Sequence, residues 1–469
     1  MWPIIKNEWR FLGRNRALLG ISLGFLLVLT LSVFLGQLQS SKQGQSYETA
    51  RHHLRQQWES IDAMNPHGAA HYGTYVFKPT NFLTSLDEGV NGVTGNVLRV
   101  EGHVQNEMVH SENSQMQFVS KFGKLKSALL LQYLLPLFLV FLAFHSMSSE
   151  RQSGRLKMLA LQGAPPASVA TAKTLAIWLY GMGLLSLTIL VYALVNTAHL
   201  SPELLQRTLF FYLAYALYYF IITGLTVMVS ARGPGPTAAL TTMLGLWILW
   251  TIFLPNLLMS SVERWYDLPS RNEFQVAMKE DRAKGIDGHN PVDQRSKALE
   301  QRILAQYEVD SLSQLPLNFD GLRMQADEEY GNQVWDKHFG ALRTVMAQQR
   351  QSYQLAGIFN PFISLQNASK GFCASDNWHH QAFLLQVENY RRALIKKLND
   401  EHAYGGSKTG DWGWEADNAF YRSIPDYEHQ APALASVFPN YRLDLLFLLA
   451  WTGLTLILLN WGGRKMQLL

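Results

Sequence analysis

The sequence predicts a mainly α, polytopic membrane protein with six transmembrane helices and two large extracytoplasmic domains, the second mostly helical and the first mixed. Three observations carry that. Six runs stay apolar over about 20 residues, the length a helix needs to cross the hydrocarbon core. Long polar blocks separate some of them, so the mean hydropathy of -0.03 hides a chain sorted into two kinds of segment. Short connections rich in Lys and Arg alternate with one that has none.

Residues 1–16 place Trp2, Ile5, Trp9 and Leu12 on one helical face and Lys6, Arg10 and Arg14 elsewhere. That is the pattern of an amphipathic helix lying in the membrane interface. The first span, Ala17–Gly36, is too long for the apolar core of a signal peptide, and no small-residue cleavage site follows it. It is read as retained. Residues 37–127 form the first outside domain, with a helical pattern around Tyr47–Ile61 and a Gly-rich Gly89–Gly102 suited to a short strand or two. Ala128–Met147 is the second span.

Residues 148–173 then gather charge between two apolar runs: Glu150, Arg151, Arg155, Lys157 and Lys173. Glu150–Leu161 reads as one short helix with Leu156, Leu159 and Leu161 near one side. Gly163 and the Pro165-Pro166 pair end it, and a new helix starts near Ser168. Three spans occupy residues 174–260: Thr174–Val195, Leu209–Ser230 and Thr237–Ser260. The second outside domain, residues 261–442, shows apolar residues at three- and four-residue spacing over Pro291–Tyr307, Gly321–Leu355 and Asp376–Glu401. Tyr404–Pro439 is expected to form a long ordered loop. Residues 443–469 hold the last span, Leu443–Trp461, and a tail. Pro136 and Pro255 are expected to kink the second and fifth spans, and Asp444 to pair locally with Arg442.

Positive charge collects before the first span, in residues 148–173, at Arg232 and at Arg464-Lys465, whereas Asn196–Gln206 has no Lys or Arg. The positive-inside rule makes the basic side cytoplasmic, with both termini there and the chain multi-pass.

Several function classes are disfavoured. A net charge of +4 without a basic stripe argues against nucleic acid. The single Cys373 leaves no internal disulfide framework and no Cys-based zinc site. No H-E-x-x-H, G-x-S-x-G or phosphate-cradling G-x-x-x-x-G-K-[ST] occurs, and Glu328-Glu329 lacks the Arg of an E-E-x-x-x-R pattern because Gln333 stands there. The chain is therefore read as a non-enzyme with no cofactor of its own. His379-His380 behind Asp376 reads as a helix N-cap with packed histidines, and His52-His53 likewise; no metal site is assigned. Trp412, Trp414, Tyr421 and Tyr427 read as an interface belt or domain core.

Six spans, a large loop after the first and a helix-turn after the second resemble a permease of the type-2 ABC exporter superfamily. In that family the segment after the second span reads E-x-x-x-G, a leucine-rich helix, a small-Pro break and a Lys; here these are Glu150, Gly154, Leu156, Leu159, Gly163, Pro165 and Lys173. The resemblance implies a coupling helix fitting a groove on an ATP-binding subunit, with Glu150, Gly154, Arg155, Leu156 and Leu159 as the coupling residues. Arg155 and Lys157 also suit contact with anionic membrane lipids. Asn360, Pro361, Phe362, Asp376, His379, His380, Phe383, Tyr390 and Arg391 resemble the ending of a second outside domain in one subgroup. The implied partners are ABC ATPase subunits, which carry the ATP and Mg, and a second permease, identical or related. Export, envelope remodelling without passage through the spans, and a scaffold all stay open here.

Overall fold

A computed structural model describes residues 1–79, 82–105, 126–195, 201–285 and 292–464. Lys465, residues 106–125 of the first polar block and residues 196–200 of the Arg- and Lys-free Asn196–Gln206 connection lie outside the described residues. Among the described residues six helices are long and apolar enough to cross a membrane: Arg16–Glu59, Ser127–Gln152, Pro166–Leu194, Pro202–Arg232, Pro236–Trp265 and Arg442–Gly463.

The fourth span is the centre of the bundle. It packs on the second, third and last spans, and Phe211, Tyr215, Tyr218, Tyr219 and Ile221 on it are fully buried. Where lipid removes any hydrophobic drive between helices, small residues decide which pairs approach closely. Gly224 does this here: a Cβ added to it would lie 2.4 Å from Cγ2 of Thr455 on the last span.

Both prolines sit beside an irregular turn of their spans. A π-helical turn precedes each, Leu130–Leu134 before Pro136 and Leu249–Phe253 before Pro255. In such a turn an N–H bonds the carbonyl five residues back. Proline has no N–H, so Pro136 orphans the Leu131 carbonyl and Pro255 that of Trp250. Both are taken by side chains: Tyr219 Oη donates to Leu131 O at 2.8 Å, and Asn360 Nδ2 donates to Trp250 O at 2.8 Å.

The first span differs from expectation. It does not stop at Gly36 but runs on as one 44-residue helix that absorbs the pattern at Tyr47–Ile61. At 1.5 Å per residue it is ~66 Å long, against a hydrocarbon core of ~30 Å. No proline interrupts its polar half, i,i+4 bonds such as Gln43 to Tyr47 (2.7 Å) and Arg55 to Glu59 (2.6 Å) line it, and Trp58 anchors its end by donating to Tyr421 O at 3.2 Å.

Trp58 belongs to a second core shared by both long polar blocks, residues 37–127 and 261–442: Val76, Leu98 and Val100 from the first meet Phe383, Val387, Leu394, Leu398, Tyr421 and Tyr427 from the second. The blocks are thus joined rather than separate. Val97–Val100 is the strand expected in the Gly-rich stretch; its antiparallel partner, Thr74–Phe77, was not anticipated. A second ribbon pairs Ala63–Met64 with Ala416–Asp417. Helices Val292–Tyr307, Phe319–Leu355 and Asn377–Tyr404 follow the predicted periodicity. Tyr421 and Tyr427 are core, as the default reading had it.

Among the helices not foreseen, one lies inside the bundle. Pro361–Phe372, too short to span, is sunk among the fourth, fifth and last spans with Phe362, Ile363, Leu365, Ala368 and Phe372 fully buried. Its Ser369 Oγ donates to Asp87 at 2.6 Å. Asp444 also corrects the sequence reading: its buried carboxylate accepts from Gln354 and from Asn367 (3.1 Å), both on the second outside block, instead of pairing with Arg442.

Candidate functional site

The basic segment between the second and third spans folds into two short helices, Ser148–Gln152 and Arg155–Leu161, not the single helix expected. Gly154 separates them with φ +73, a left-handed conformation that glycine adopts without penalty. The break turns the second helix so that Leu156 is buried in the bundle core and Leu159 packs against that core half-buried. Leu161, five residues after Leu156, falls on the opposite side: it is 81% exposed, next to Met158 at 61%. The three leucines therefore do not share a side. Arg155 and Lys157 are exposed beside them.

The segment is fastened at three points. Main-chain N–H groups of Met147 and Ser148 donate to Ser230 Oγ at 3.2 and 3.1 Å. The Arg151 guanidinium donates to Ala231 O at 2.6 Å and to Gly233 O, closing the end of the fourth span. Lys173, on the third span and buried, donates to Glu150 Oε1 at 3.1 Å and to Glu8 of the N-terminal helix Trp2–Arg14. Glu150 Oε2 also meets Arg155 Nε at 3.1 Å. Glu150 is therefore engaged within the chain by two cations, and the exposed residues of the second helix, Arg155–Leu161, are Arg155, Lys157, Met158 and Leu161.

The N-terminal helix lies against the third span as well as at the surface. Ile5 packs on Ala172 and Ala176, and Trp9 Nε1 donates to Ala176 O at 3.0 Å, while Trp2 stays exposed. One ammonium thus joins the N-terminal helix, the segment and the third span. Sequence reasoning did not connect Glu8 with Lys173, although Glu8 is the lone acid of residues 1–16. Arg232 stacks on Trp461 at 4.0 Å, so the ends of the fourth and last spans meet on this same face of the bundle.

At the opposite end the residues of the second motif are structural. Asn360 and Asp376 cap helices Pro361–Phe372 and Asn377–Tyr404. Asp376 accepts from the His379 main chain at 3.0 Å and Nδ1 at 2.6 Å, and from Tyr441 Oη; burial alone would raise its pKa, but these bonds hold it down to about 2. His380 is pushed down to about 3 by burial and then by Lys78. Arg391 is buried between Glu328 (3.0 Å) and Glu388 (2.9 Å), and the Phe383 ring lies in the outer core, 6.2 Å from Tyr427. Tyr390 Oη donates to Pro425 O at 3.2 Å. A cavity of about 1030 Å³ opens nearby, lined by Lys78, Arg207, Glu203, His379, Phe383 and His429 among others.

A bundle of six apolar helices with a charged segment clamped on one face and a joined folded domain on the other has the make-up of a polytopic membrane protein. The chain belongs to the ABC-2 family of transporter proteins: that family model matches residues 2–278, and a domain of unknown function (DUF3526) matches residues 271–430. No curated protein and no solved structure shows significant similarity to the chain. Membership implies a permease component associated with ABC ATPase subunits.

Proposed function

We propose that the chain is the membrane subunit of an ATP-driven exporter in a bacterial inner membrane, with both termini cytoplasmic, and that two such chains, or one with a related chain, join two ATPases. The ATPase docks on Met158 and Leu161, flanked by Arg155 and Lys157, while Leu156, Leu159 and Glu150 hold the docking helix to the bundle. The observation that carries this reading is the clamp: movement of the segment is passed through Lys173 to the third span and the N-terminal helix, and through Arg151 to the fourth span. An exposed apolar pair beside two cations is otherwise costly to leave in water.

The test exchanges Met158→Glu and Leu161→Glu together. Both side chains are solvent-exposed, so the purified chain should elute and unfold like the wild type, yet no ATPase subunit should copurify with it. Retention of the ATPase on the variant would refute the docking face.

A second reading is supported by the unbroken first-span helix, which joins the bundle to the outer core at Trp58. Such a helix can act as a lever on the outer domain, remodelling an envelope partner with nothing passing between the spans. ATP hydrolysis by reconstituted complexes without flux of any tested cargo into vesicles would favour it over export.

A further inference from the structure

Outside the permease machinery the outer domain holds three histidines from two separate pieces of chain. His67 and His71 stand one turn apart on helix Pro66–Tyr72, so both rings project from one face. His103 lies in the turn after strand Val97–Val100, which the Gly102 N–H ties to the helix by donating to Ala70 O at 2.9 Å. One ring nitrogen of each histidine lies within 4.8 Å of the others, and His67 Nε2 is 3.2 Å from His71 Nε2. Two imidazoles on a tetrahedral zinc at 2.0–2.1 Å have nitrogens ~3.3 Å apart. The His67–His71 distance, which also suits a hydrogen bond between the two rings, would let both ligate one tetrahedral ion.

The third ring is held in place at a cost. His103 has φ +63, an uncommon backbone for a residue with a Cβ, and such strain persists only where the surroundings enforce it. Here Glu328 enforces it: one carboxylate oxygen accepts from the His103 main-chain N–H at 2.6 Å and faces Nδ1 at 2.7 Å. Arg282 adds a bond to the His103 carbonyl at 3.3 Å. Glu328 is itself buried and fixed by Arg391 at 3.0 Å. A carboxylate on Nδ1 sets the tautomer that leaves Nε2 bare, which is the arrangement that orients and strengthens a histidine ligand.

We propose that His67, His71 and His103 form a site for a borderline first-row divalent cation of the zinc class, with Glu328 as the residue positioning His103. Three imidazoles and no thiolate or carboxylate ligand select Zn²⁺, Co²⁺, Ni²⁺ or Cu²⁺ over Ca²⁺ and Mg²⁺. His71 is exposed, so the fourth position opens to solvent and takes water or a donor atom from outside the chain. The ion would tie helix Pro66–Tyr72 to the turn at His103, which Glu328 of the long helix Phe319–Leu355 already holds.

The full chain, purified without a polyhistidine tag and stripped with a chelator, is titrated with Zn²⁺ and separately with Co²⁺. One Zn²⁺ per chain is expected, with the intense visible absorption of four-coordinate Co²⁺ at equal stoichiometry. His71→Ala, an exposed change, and His103→Asn should each weaken Zn²⁺ at least tenfold and abolish the cobalt bands. Exposed His53→Ala should leave both unchanged. Thermal unfolding separates binding from folding: Zn²⁺ should raise the midpoint of the wild type and not that of His71→Ala, whose metal-free midpoint matches the wild type. Absence of stoichiometric Zn²⁺ on the wild type, or equal Zn²⁺ affinity in wild type and His71→Ala, would overturn the site.

Discussion

Replacing Lys173 with Met tests the joint that the proposed coupling depends on. The Lys173 side chain is 3% exposed, and the Glu8 and Glu150 side chains that accept from it are 14% and 17% exposed. Removing one member of a buried ionic group strands the others, which costs about 3–5 kcal/mol; two like charges facing each other place Lys173→Met toward the upper figure, while their partial exposure and the Arg155 contact pull it down. A loss of about 3 kcal/mol is the expected result. Thermal or denaturant unfolding of the purified chain measures it. Adding Glu8→Gln and Glu150→Gln to Lys173→Met removes the stranded charges and should recover most of the loss, a coupling that only residues in contact display. In the assembled complex Lys173→Met should also lower transport-linked ATPase activity while the ATPase stays bound, because the Met158–Leu161 face is untouched. A Lys173→Met chain with wild-type unfolding and wild-type activity would refute the reasoning.

Three further outcomes are expected. Tyr219→Phe removes the donor to the Leu131 carbonyl and should cost about 1–3 kcal/mol, the penalty of an unsatisfied buried acceptor; unfolding of Tyr219→Phe with Pro136→Ala, which restores the main-chain N–H, should show recovery. Gly224→Leu forces atoms into a space where even a Cβ meets Thr455 at 2.4 Å, and overpacking of this kind costs about 1–3 kcal/mol, read as earlier unfolding and lower yield from membranes. The Glu328 carboxyl has a pKa of about 2 against an ordinary 4.5, because the His103 bond and the Arg391 charge outweigh the burial that would raise it. The folded chain therefore binds this proton less readily than the unfolded one. The stabilisation is complete above pH 4.5 and fades as pH falls toward 2. Unfolding followed against pH should show a shallower acid limb in Glu328→Gln than in the wild type.

The helical, six-span character was legible because spans announce themselves by composition alone, and the long outer helices by apolar residues recurring at three and four. What escaped notice depended on contacts between distant pieces of chain. Thr74–Phe77 has no strong pattern and becomes a strand by pairing with Val97–Val100. Pro361–Phe372 is apolar but short, and its burial beside the spans depends on partners far off in the chain, such as the Trp250 carbonyl that Asn360 reaches and Asp87 that Ser369 reaches. In the basic segment the residue types were visible and their directions were not: one left-handed glycine decides that Leu156 points in and Leu161 out. The H-G-A-A-H spacing of His67 and His71 was a readable hint, but the third histidine arrives from 32 positions beyond His71 in the chain.

The first-span helix also imposes a counting rule on its own length. Each residue turns a helix by about 100°, so adding or removing one between Gly36 and Tyr47 would swing everything beyond by that angle and pull Trp58 from its seat under Tyr421. Changes of about 7 or 11 residues bring the phase back to within some 20°. The same steps move Trp58 by ~10 Å or ~16 Å along the axis, so chains that keep its seat under Tyr421 should keep this length or else break the helix. That constancy of length can be read directly from sequences that share the two flanking anchors.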